Sequence, residues 1–81
     1  MTERLKFQGR LVEKELEARR LKLRIEGLRD SVRDILDPFD AIEELRVDTA
    51  FEQMSDLAAR WLEHKELVGE IKALRKALGR E

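Results

Sequence analysis

The sequence predicts an all-α fold, an antiparallel hairpin of two long helices joined by a short one. Three observations carry that reading. Apolar residues recur at alternating steps of three and four along both halves of the chain. The one proline stands between those halves, in Asp37-Pro38-Phe39-Asp40. Charged residues make up 43% of the 81 positions, and with such periodicity this composition marks long helices and coiled coils rather than a disordered polyelectrolyte. The chain forms one domain at most, at a length where a single hydrophobic core is marginal. It has no cysteine, so added stability has to come from helix packing or association.

The first helix is expected over residues 3–36, opening at Thr2-Glu3. Leu11, Ala18, Ile25 and Val32 are seven apart, as are Leu21, Leu28 and Ile35, and interleaved they form one seam whose only charged member is Lys14. A second stripe of Leu5, Gly9, Val12, Leu16, Arg19 and Leu23 lies roughly 150° around the helix at 100° per residue. One packed neighbour cannot cover both stripes.

Asp37-Pro38 ends this helix, because a residue before proline is pushed out of the α region. The same segment suits the start of a short helix over 38–46, with Asp37 as N-cap and Pro38 in the first turn. Phe39, Ile42 and Leu45 would share a face there. One kinked helix running from Pro38 to Leu78 is the alternative. Thr49 with Glu52 reads as a capping box opening a third helix over 49–78, about 45 Å long. Its main stripe is Met54, Leu57, Trp61, His64, Val68, Ile71, Arg75 and Leu78, and Gly79 marks its stop.

Pairing the long helices antiparallel sets Ile35 near Thr49, Leu28 near Leu57, Leu21 near His64 and Lys14 near Ile71. The expected hairpin core is then Leu11, Ala18, Leu21, Ile25, Leu28, Val32 and Ile35 against Met54, Leu57, Trp61, Val68, Ile71 and Leu78. Leu5, Val12, Leu16, Leu23, Phe51, Leu67 and Leu74 remain outside it. Burying such a side chain gains about 1.5–3 kcal/mol. These seven are therefore expected to form an interface, with a second copy completing a four-helix bundle of coiled-coil type. Another helical protein is the rival partner.

Signatures of chemistry are missing from the sequence. His64 is the sole histidine and has no cysteine or second histidine to share a metal. There is no glycine-rich phosphate loop, nucleophile elbow or metal motif, and the acidic connection lacks the central glycine of a calcium loop. In size and helical build the chain resembles the helical chorismate mutases. That family needs several arginines and a lysine converging inside the bundle, whereas only Lys14, Arg19 and Arg75 touch apolar stripes here. No catalytic residue, metal or cofactor is expected.

Net charge is −1 but unevenly spread: residues 1–36 carry ten basic against seven acidic side chains, 37–63 two against eight, and 64–81 five against three. The open end of the hairpin would gather Arg4, Lys6 and Arg10 beside Lys72, Lys76 and Arg80, a candidate phosphate-contacting tip. The expected function is thus a non-enzymatic protein-interaction or structural module. A small nucleic-acid-associated regulator using the basic end is the alternative, and the general build is similar to small accessory proteins of bacteria and their phages. No apolar run is long enough to span a membrane, and MTERLKFQGR lacks the apolar core of a signal peptide, so a cytoplasmic protein is expected.

Overall fold

The computed structural model describes residues 2–79. Helix α1 runs Thr2–Ile35 and helix α2 runs Val47–Ala77, with a single 3₁₀ turn, Ile42–Glu44, in the connection between them. The helices lie antiparallel. An Arg4 guanidinium N–H donates to the Leu78 carbonyl at 3.3 Å, and Lys14 Nζ meets Glu70 Oε2 at 2.6 Å. The molecule measures 63 × 18 × 14 Å with a Cα radius of gyration of 18.0 Å. A compact globule of this length would have a radius of about 12 Å. The hairpin is a rod two helices thick.

Along α1 the half-buried and buried positions follow the expected seam. Phe7, Leu11, Lys14, Ala18, Leu21, Ile25, Leu28, Val32 and Ile35 are all at least partly covered, at alternating steps of four and three. On α2 the seam differs from expectation. Ala50, Gln53, Leu57, Arg60, His64, Leu67, Ile71, Leu74 and Leu78 are covered there, again at steps of three and four, with Val68 and Arg75 half-buried beside them. The row Leu57, His64, Ile71 and Leu78 is common to both readings. The row beside it is Gln53, Arg60, Leu67 and Leu74, each four residues back, whereas in the row three residues back Met54 and Trp61 are exposed and only Val68 and Arg75 stay half-buried.

That roll of the helix corrects four residues. Met54 and Trp61, expected in the core, are about half exposed, Trp61 at 51%. Leu67, expected outside, is buried at 6%, and Leu74 packs onto the cluster of Leu11, Ile71 and Leu78. The physical reason is that the two rows carry their largest apolar side chains at opposite ends, Met54 and Trp61 toward the turn and Leu67 and Leu74 toward the open end. Leu67 and Leu74 outweigh Val68 and Arg75 near the open end, and a straight helix then carries Gln53 and Arg60 inward with them.

The connection also departs from expectation. No helix spans 38–46, and no continuous one runs from 38 to 78. Asp37 Oδ1 accepts the Phe39 N–H at 2.9 Å, and the Asp40 N–H donates to the Asp37 carbonyl at 3.2 Å, closing a tight turn instead of capping a helix. Ala41 and Leu45 are both extended, at ψ 145° and 130°, so only Ile42–Glu44 between them is helical. Helix α2 opens at Val47, before the expected Thr49, and its N-cap Arg46 makes no side-chain capping bond. The Thr49 N–H donates instead to Asp48 Oδ1 at 2.9 Å. Gly79 ends the helix as expected. Its φ of 71° lies in the left-handed region, and its N–H donates to the Lys76 carbonyl at 3.1 Å.

Candidate interaction surface

The two flanks of the hairpin, one on each side of the seam, differ in chemistry. One is acidic on α2, where Asp56, Glu63 and Glu70 succeed one another at steps of seven. Asp56 Oδ2 accepts from Arg24 at 2.9 Å and Glu70 pairs with Lys14, while Arg60 Nη2 reaches Glu63 at 3.0 Å. Glu70 holds the Lys14 ammonium above its ordinary pKa, through the hydrogen bond first and its charge second. This flank is closed by ion pairs.

The opposite flank is open near the turn. Near the turn a groove of about 370 Å³ is lined by Ile25, Arg29, Met54, Leu57, Ala58 and Trp61. Lys65, one turn on, places its ammonium 5.1 Å from the Trp61 ring centroid, a cation–π distance. Further along the same flank a second groove, of about 430 Å³, is lined by Glu15, Ala18, Arg19, Ile71 and Arg75. An Arg75 guanidinium N–H donates to Glu15 Oε2 there at 2.9 Å.

Exposed apolar side chains gather toward the turn. Leu36, Phe39, Ile42, Val47, Phe51, Met54, Trp61 and Leu62 all project into solvent, and Phe39 is 95% exposed. Sequence reasoning found Phe51 among them but assigned Met54 and Trp61 elsewhere and left Leu62 out. Leu5, Val12, Leu16 and Leu23 of α1 are exposed as expected of an outer stripe. The turn half also leaves two buried polar atoms without a hydrogen-bond partner, Gln53 Oε1 and Arg60 Nε.

The basic tip is partly consumed within the chain. Arg4 donates to the Leu78 carbonyl, Lys14 pairs with Glu70 and Arg75 with Glu15. Among the described residues Lys6, Arg10, Lys72 and Lys76 make no ion pair, and Arg80 lies outside those residues. His64 is half-buried in the seam. Among the described residues no group of three or more His, Cys, Asp or Glu side chains converges as a metal site. No described helix is long and apolar enough to cross a membrane. No family model, curated protein or solved structure matches this chain.

Proposed function

We propose that this protein is a non-enzymatic helical interaction module that self-associates, two hairpins packing side by side as a four-helix bundle. One observation carries the reading. The chain exposes 6524 Å² of surface, against about 5,000 Å² for a compact monomer of 9.5 kDa. The excess is ample for a standard interface, which takes about 800 Å² from each partner. Large apolar side chains contribute to it on both helices, and the grooves between the helices are shallow surface troughs rather than enclosed catalytic pockets. A second copy covers such a face without requiring a second gene product, and two-fold dimers are the commonest closed assemblies.

Light scattering coupled to size exclusion tests this. The expected mass at tens of micromolar is twice 9.5 kDa, and a well-folded monomer at that concentration contradicts it. The competing reading, a nucleic-acid-associated regulator, has in its favour Lys6, Arg10, Lys72 and Lys76 at one end of the rod, which make no ion pair among the described residues. A salt titration against mixed DNA and RNA separates the two. Binding with a steep salt slope supports the regulator, and no binding at low salt removes it.

A further inference from the structure

We infer that two copies pack antiparallel across the open flank, about a two-fold axis near Ala58, so that the acidic turn of each lies over the Arg19–Arg75 groove of the other. The inference rests on the self-association proposed above and specifies its face and direction. Three observations lead to it. The flank bearing Asp56 and Glu70 is bridged along its length by ion pairs to Arg24 and Lys14, whereas the flank bearing Trp61 has one cross-helix pair, Arg75–Glu15, near the open end and a largely apolar groove near the turn. The molecule is electrically polar along its length, because its turn half, residues 22–63, carries six basic against eleven acidic side chains and its open half, residues 1–21 with 64–81, carries eleven against seven. The third is spacing along the rod.

Ala58 lies eleven residues into α2, or about 16 Å from its start at Val47. A two-fold axis through the Ala58 groove therefore sets Val47 of one copy opposite Gly69 of its partner. The acidic connection beyond Val47, with Asp40, Glu43 and Glu44, then reaches Lys72 and the second groove, where Arg19 outnumbers its share of carboxylate once Glu15 is matched by Arg75. The same operation repeats the contact at the other end. A parallel arrangement would instead put acidic turn against acidic turn and basic end against basic end, a like-charge juxtaposition that opposes association.

The absence of cysteine makes the test clean, since each introduced thiol is the only one in the chain. Ala58 and Glu63 are exposed, so Ala58→Cys and Glu63→Cys leave the seam untouched. Under mild oxidation Ala58→Cys should form a covalent dimer in high yield, and Glu63→Cys, on the closed flank, should remain monomeric on a non-reducing gel. A mixture of Glu43→Cys with Lys72→Cys should give the mixed dimer at least tenfold in excess over either self-linked species. Trp61→Ala should weaken the wild-type dimer by about 30-fold or more, as expected for an aromatic anchor at an interface. Helical circular dichroism of each variant checks that the hairpin is retained. Preferential linking through Glu63, or through Glu43 to Glu43, overturns the proposed face or direction while leaving self-association standing. A wild type that scatters as a monomer overturns both.

Discussion

The open half of the hairpin and its turn half solve the same packing problem differently. At the open end Leu11, Ile71 and Leu78 form a buried cluster, with Phe7, Ala18 and Leu74 packed onto it, and Leu11 is only 1% exposed. That half completes a core within one chain, whereas beside the connection burial is limited to Val32, Ile35 and the small Ala50. Toward the turn the seam of α2 holds Gln53 and Arg60, while Met54, Trp61 and Phe51 face outward. The comparison teaches that one helix phase serves both halves, and the row whose leucines pack at the open end sets it. Met54 and Trp61 of the other row end on the surface, where a second copy is proposed to meet them.

The largest expected effect that tests this contrast is in the closed half. Leu11→Ala empties a fully packed site and should destabilise the hairpin by about 2–5 kcal/mol in chemical unfolding. Leu23→Ala, at a side chain 72% exposed, should stay within about 0.5 kcal/mol under the same conditions. Equal costs at the two sites would mean that the core does not sit where the open half places it.

A smaller effect of opposite sign is expected at the turn half. Arg60 has its Nε buried without a hydrogen-bond partner, the nearest carboxylate oxygen of Asp56 lying 3.7 Å away. Its remaining pair with Glu63 is a surface pair worth about 0–1 kcal/mol. Arg60→Leu extends the row of Leu67 and Leu74 by one heptad and should stabilise the hairpin by about 1 kcal/mol, read as a raised thermal midpoint. A loss of stability would show that the Arg60 ion pairs outweigh the buried nitrogen.

Much of the architecture was legible in the sequence, for identifiable reasons. On α1 a single heptad seam competes with one stripe far around the helix, so its phase is unambiguous. On α2 the row Leu57, His64, Ile71 and Leu78 was equally clear. Its neighbouring row was not, because Met54 and Trp61 near the turn favour one side and Leu67 and Leu74 near the open end favour the other. Counting apolar residues cannot weigh a tryptophan at one end against two leucines packed on Leu11 at the other. The connection misled through residues that serve two structures equally well. Asp37 and Pro38 suit both a helix start and a tight turn, and Phe39 and Ile42 find no apolar surface in one chain that would hold a helix there. The candidate surface was half legible. Leu5, Val12, Leu16, Leu23 and Phe51 are exposed as expected, and the groove beside Trp61 emerged only from the roll of α2.

Trp61 is the only tryptophan and lines the groove at the proposed axis, so its fluorescence reports that contact without any label. In a lone hairpin it is half exposed. The emission maximum measured across a dilution series from about 100 μM to well below the dimer dissociation constant should shift to longer wavelength as the ring passes from the interface into water. Helical circular dichroism should stay largely unchanged over the part of that range where the open-half core still holds the hairpin together. An emission maximum that is constant, and characteristic of a half-exposed ring, in samples that light scattering shows to be dimeric would contradict the account.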